Sequence, residues 1–180
     1  MRKNTIITIL IILGLIGLFF LLRYANRPQY YNKVTLSGDN YIFNLGEDKY
    51  VDTIVSVGLK ELGVKGCSVT IEEMPQKVKD LFYQQNQMNL EATVYGENDM
   101  YDILTSDLNR SGAILVLSHE LIHLKQYNSG RLSLVDDGFV TFDNKVYKVT
   151  DIPYNNRPWE VEAFAQQYDL AKKVEKVLIP

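Results

Sequence analysis

The sequence predicts an α+β domain in which a small sheet packs on two principal helices, and three observations carry that reading. Short runs rich in β-branched and aromatic residues are separated by turn signals at Ser37–Asn40, Gly96–Asp99 and Asp143–Asn144. Ala113–Leu117 and the residues that follow it are apolar on every side, as in a helix running through a core. Pro158 to Leu178 repeats apolar residues at helical spacing. Asn155 and Asn156 precede it, Pro158 suits its first turn, and Lys172, Lys173 and Lys176 suit its end.

The elements follow in chain order. Ile6 to Leu22 is almost unbroken apolar sequence, interrupted by Thr8, Gly14 and Gly17, at the short end of what spans a bilayer. Arg2 and Lys3 precede it, and no small-residue cleavage site follows it. Residues 1–23 are therefore expected to form an uncleaved single-pass membrane anchor, with the C-terminal domain extracytoplasmic. Residues 24–33 read as a polar, aromatic-rich linker and 34–180 as one domain with its own core. Within it, Val34–Leu36 and Tyr41–Phe43 form a hairpin, Tyr50 to Leu62 a helix ended by Gly63, and Ser68–Ile71 a strand. Lys77 to Gln85 reads as a short helix, and Leu90–Tyr95 with Tyr101–Ser106 as two strands. Phe139–Phe142 and Lys145–Val149 flank Asp143–Asn144 as a hairpin between the two long helices.

Charge and cysteine content exclude several function classes. Five of the 19 basic residues (Arg2, Lys3, Arg23, Arg27 and Lys33) and none of the 22 acidic ones precede Val34, which leaves the folded part at about −8 against −3 for the chain. Such a balance argues against nucleic-acid partners and against adhesion to anionic lipid. The single cysteine, Cys67, permits no internal disulfide. Beside Gly66 and before a strand-like run it reads as a buried structural thiol.

Both histidines of the chain fall in Ser118-His119-Glu120-Leu121-Ile122-His123. Four residues apart on a helix, His119 and His123 share one face and can offer ring nitrogens to a single metal ion, with Glu120 in reach of a water bound there. The blander alternative is an ordinary helix with two partly buried histidines. A catalytic zinc commonly takes three protein ligands and leaves a position open. With no third histidine, the remaining ligand is a carboxylate or Cys67. Gln126 and Ser129 stand where the longer H-E-x-x-H-x-x-G-x-x-H signature needs glycine and histidine, which excludes that form.

The C-terminal helix offers Glu160 and Glu162. At 100° per residue Glu160 projects among Ala163, Phe164, Ala171, Val174 and Leu178, and Glu162 among Gln166, Asp169, Lys173 and Lys176. A carboxylate on an apolar stripe is costly to bury without a cation, for which zinc is one explanation and a salt bridge or the helix dipole another. Glu162 reads as a solvated surface acid.

His119-Glu120-x-x-His123 followed by Glu160-x-x-Ala163 on a later helix resembles the gluzincin metallopeptidases, especially their minimal single-domain forms. The resemblance spans about Leu90 to Leu178. It implies a zincin-like fold, a small twisted sheet packed on the H-E-x-x-H helix and the C-terminal glutamate helix, with Zn2+ held by His119, His123 and Glu160 and Glu120 as general base. It also implies an edge strand along the cleft, for which Tyr101–Ser106 is the expected rim. Many relatives carry an aspartate directly after the alanine, where this chain has Phe164.

A hydrolase also needs a donor for the developing oxyanion, and Tyr154, Arg157 and Tyr127 are candidates, with Tyr154 named as the catalytic one. The expectation is a zinc-dependent endopeptidase acting on peptide or protein substrates. The rivals are a zinc-binding module without turnover and a zinc-dependent hydrolase of cell-wall amides. Nothing in the sequence sets an oligomeric state.

Overall fold

A computed structural model describes residues 34–45, 48–86, 88–106, 110–136 and 138–178. The anchor and linker expected at 1–23 and 24–33 lie outside them. The expected single-pass membrane placement is corrected: among the described residues no helix is long and apolar enough to cross a membrane.

The first hairpin forms as expected, β1 (Val34–Ser37) pairing antiparallel with β2 (Asn40–Asn44) through a turn at Gly38, whose φ of 61° suits glycine. Buried Asn40 ties β2 to the segment ahead of β3, its amide donating to Val64 O and its oxygen accepting from Cys67 N. Helix α1 (Lys49–Leu62) starts on Asp48, whose side chain accepts from Tyr50 N, and stops at Gly63 in the left-handed region. Strand β3 (Ser68–Glu73) then returns parallel to β2, so β2–α1–β3 is a crossover unit. Helix α2 (Gln76–Asn86) follows, then the hairpin of β4 (Ala92–Glu97) and β5 (Met100–Thr105), turned by Asn98 and Asp99 at positive φ.

These strands make one five-stranded mixed sheet in the order β1-β2-β3-β5-β4, with β3 and β5 parallel. The order corrects one expectation. The strand Tyr101–Ser106 is interior, because β5 is held on both sides by β3 and β4, and β4 is the edge. Ser106 N donates to Glu91 O, which sets the alternation along the hairpin. Ala92, Val94 and Gly96 therefore turn their backbone groups away from β5.

Helix α3 (Arg110–Asn128) carries the H-E-x-x-H residues and α4 (Pro158–Leu178) carries Glu160. Ile54, Val55 and Leu59 of α1 join Leu117 and Leu121 of α3, Ala163 and Val174 of α4, and Ile42, Val69 and Ile103 of the sheet in one buried cluster. Helix α3 is buried on every side from Leu117 to Leu124 because α1, β4 and α4 surround it. Helix α1 is thus a third principal helix. Between α3 and α4 a second sheet forms, β6 (Leu132–Asp136), β7 (Phe139–Phe142) and β8 (Lys145–Lys148), antiparallel throughout. Strand β6 was not expected: it is short, irregular between Leu134 and Asp136, and paired only because β7 lies beside it. Leu132, Val140 and Phe142 of this sheet pack on Trp159, at the start of α4. The architecture is α+β, with four helices and two sheets among the described residues.

The approach of α1 to α3 depends on Gly58, where a Cβ would lie 2.4 Å from Cδ1 of fully buried Leu121. Gly58→Val is expected to lower stability by about 1–3 kcal/mol through overpacking, read as a shift in the denaturant midpoint. An unchanged midpoint would refute this account of the packing.

Candidate metal centre

Four buried polar side chains meet where α3 and α4 cross: His119, Glu120 and His123 from α3, and Glu160 from the first turn of α4. His119 Nε2 and His123 Nε2 lie 3.1 Å apart, and each is 3.2 Å from Oε2 of Glu160. Two ligands at ordinary zinc distances on a tetrahedral ion stand about 3.3 Å apart, so this triangle has the size of one face of such a site. Of the sequence-predicted ligands, the three expected together are brought together. Among the described residues theirs is the group of metal-ligating side chains close enough to share an ion.

The outer nitrogens explain why the triangle needs a cation. His123 Nδ1 is 2.8 Å from Oε1 of Gln126, and His119 Nδ1 is 2.9 Å from Oε1 of Gln167. The Gln126 amide nitrogen donates to the backbone carbonyl of Trp159, which turns its oxygen to the imidazole. An amide oxygen only accepts, so the Nδ1 atoms carry hydrogens and both Nε2 atoms are available to face Glu160 with lone pairs. Three acceptors this close repel one another unless a proton or a metal ion lies among them.

A proton can serve. Burial would lower His123, but the Glu160 carboxylate beside it, helped by Glu120, holds it up at about 9. Burial would raise Glu160, but the two imidazoles hold it down at about 2. His123, raised above 6.5, stabilises the fold fully below that value and loses the contribution as pH rises through about 9. Glu160, depressed below 4.5, contributes above that value and loses it as pH falls through about 2. Both contributions are complete together between pH 4.5 and 6.5.

Glu120 lies next to the triangle without belonging to it. Burial pushes its carboxyl up, the two histidines pull it down less strongly, and Glu160 adds to the rise. The Val94 N–H on the free side of β4 bonds to it, so the edge strand and the acid share one space. Tyr154, in a short 3-10 turn before α4, lies near enough to feel the charges of Glu160 and Glu120 and rests edge-on against Phe82 of α2. Burial first, then the charges of Glu160 and Glu120, raise its pKa, so the hydroxyl keeps its proton and remains a donor.

The other candidates are used elsewhere. Arg157 bonds to the carbonyls of Val149 and Ile152 and to Asn86 Oδ1, and lies over the Tyr154 ring. Tyr127 is pushed up to about 12 by burial and by Glu120 and Glu160, and packs in the core. Cys67 is buried in the sheet core, where burial pushes its thiol up to about 11, and takes no part in the triangle. Glu162 stays outside the triangle as a partly exposed acid, and with Asp143 it holds Arg131 in paired hydrogen bonds, tying α4 to the β7–β8 turn. Arg131 keeps both acids below their ordinary values, so the clamp is complete above the carboxylate range and lost in acid. The difference in melting temperature between wild type and Arg131→Ala is therefore expected to narrow as pH falls below that range.

Sequence reasoning missed Gln126 and Gln167. Their signal was spacing: Gln126 is three residues after His123, and Gln167 is two turns after Glu160 on the same face. Phe164, where the resemblance expects an aspartate, instead places its ring 4.7 Å from that of His119. Comparisons with family models, curated proteins and solved structures find no match to this chain.

Proposed function

We propose that this chain is a zinc-dependent peptidase of the gluzincin type, with a zincin-like domain, acting on extended peptide or protein substrates. The observation that carries the reading is the buried triangle of His119, His123 and Glu160, with its edges of 3.1–3.2 Å and a fourth buried acid, Glu120, beside it. The donor set fits zinc: two imidazoles and one carboxylate are the ligands of a catalytic zinc that keeps an open position.

When bound, zinc would supply Lewis-acid activation of a water and of a carbonyl. The remaining work belongs to the chain. Glu120, whose carboxyl is raised by burial, takes the proton of the attacking water and returns it to the leaving amine. Tyr154, a retained donor beside Glu160, supplies a hydrogen bond for the charge that develops on the carbonyl oxygen. The free side of β4 offers main-chain groups at Ala92 and Gly96 and the carbonyl of Val94, the pattern that an extended substrate backbone can extend as a strand.

The test uses the purified full chain. Bound zinc is measured, and unstructured proteins and cell-wall peptides are incubated with the wild type and with Glu120→Gln. Stoichiometric zinc and Glu120-dependent cleavage of proteins is the expected result. Stoichiometric zinc without cleavage of either substrate class would replace the reading with a non-catalytic zinc-binding module. Cleavage of wall fragments alone would replace it with a cell-wall amide hydrolase.

A further inference from the structure

We propose that Gln167 is a positioning residue that holds His119 in its metal-ligating tautomer, with Phe164 and Glu160 completing a cradle built from one face of α4. The inference rests on the reading above, that the triangle receives a metal ion, and adds a role for a residue outside it.

A neutral imidazole carries one hydrogen, and only the nitrogen without it can ligate. For His119 the choice is made locally, since the ring is buried and each of its nitrogens faces a protein side chain. Its Nδ1 lies 2.9 Å from Oε1 of Gln167, itself buried, while its Nε2 lies 3.2 Å from Oε2 of Glu160. With the hydrogen on Nδ1, the amide accepts it and Nε2 turns a lone pair to the triangle. With the hydrogen on Nε2, Glu160 would accept it, and a bare Nδ1 would confront the amide oxygen across 2.9 Å. With its oxygen toward Nδ1, the amide favours the ligand form over the plain hydrogen-bond donor.

Spacing on α4 makes this a single rigid device. Glu160, Phe164 and Gln167 stand at i, i+4 and i+7, on one face of the helix. The first meets Nε2, the second lays its ring against the imidazole at 4.7 Å, and the third meets Nδ1. One helix thus grips both nitrogens and the ring between them, and no loop movement is needed to bring the amide into place. The His123 side is built differently: Gln126 comes from the same helix as its histidine and is oriented by the Trp159 carbonyl.

The experiment compares wild-type full chain with Gln167→Met, which keeps the length of the side chain without its acceptor, and Gln167→Glu, which restores an acceptor. Long-range proton–nitrogen NMR of the metal-free chain reads the tautomer, and competition with a chromophoric chelator reads the affinity for zinc alone. His119 is expected as the Nδ1–H form in wild type and Gln167→Glu, and to gain Nε2–H form in Gln167→Met. Zinc affinity is expected to fall about 10–100-fold in Gln167→Met and to return in Gln167→Glu. An Nε2–H His119 in the wild type overturns the proposal without any variant having to fold. So does a Gln167→Met chain with unchanged tautomer and affinity. Failure of the wild type to bind zinc would overturn the metal reading instead, and the tautomer measurement would still decide the role of Gln167.

Discussion

Glu120→Gln is expected to lower peptide hydrolysis by about 10²–10⁴-fold, the usual worth of a positioned general base, while leaving zinc binding intact. The substitution keeps the shape of the side chain and its place beside the triangle, and removes the carboxylate that takes the proton. The same change should stabilise the metal-free fold. Glu120 is buried, burial raises its carboxyl, and the pull of His123 and His119 does not offset that rise. An acid whose folded pKa is raised binds its proton more tightly folded than unfolded, so its cost is absent below the unfolded value. It grows as pH rises from there to the folded value. The variant should therefore melt with the wild type in acid and above it at neutral pH. Wild-type rates in Glu120→Gln would remove the general base from the proposal, and with it the enzyme.

The second large effect concerns the two acids of α4. Glu160→Ala is expected to weaken zinc binding by more than the 10–100-fold that loss of an outer partner typically costs, whereas Glu162→Ala should change it little. Glu160 brings Oε2 within 3.2 Å of both imidazoles, and Glu162 points to Arg131. The affinity should also depend on pH. His123 keeps a proton up to about 9 in the metal-free chain, so a metal ion must displace it. Apparent affinity is then expected to rise about tenfold per pH unit up to that value, and calorimetry in buffers of different ionisation heat should register the proton released. Equal zinc binding by Glu160→Ala and wild type would defeat the assignment of the third ligand.

Much of the candidate site was legible because helical spacing is a local rule. The four-residue interval between His119 and His123, and the placement of Glu160 on the apolar face of its helix, follow from 3.6 residues per turn and needed no neighbours. The same rule put Glu162 on the other face, yet could not say that Arg131, from the β6 side of the second sheet, would reach it. Gln126 and Gln167 read as unremarkable polar residues until the crossing of α3 and α4 set them against imidazole nitrogens. The edge strand went to the wrong partner for a related reason: β4 and β5 are both plausible rims in sequence, and only the pairing of β5 with β3 makes β4 the free one.

What the chain determines by itself is the set of local elements, namely the hairpins at Gly38, Asn98 and Asp143, the caps at Asp48 and Gly63, and the two helices that carry histidines and glutamate. Each depends on contacts a few residues apart, which composition and periodicity record. Tertiary packing alone decided the sheet order, the close approach of α1 to α3 at Gly58, and the second partners of the two imidazoles. Those depend on which faces meet across tens of residues, where burial removes water and leaves each polar atom only the partner that folding brings to it.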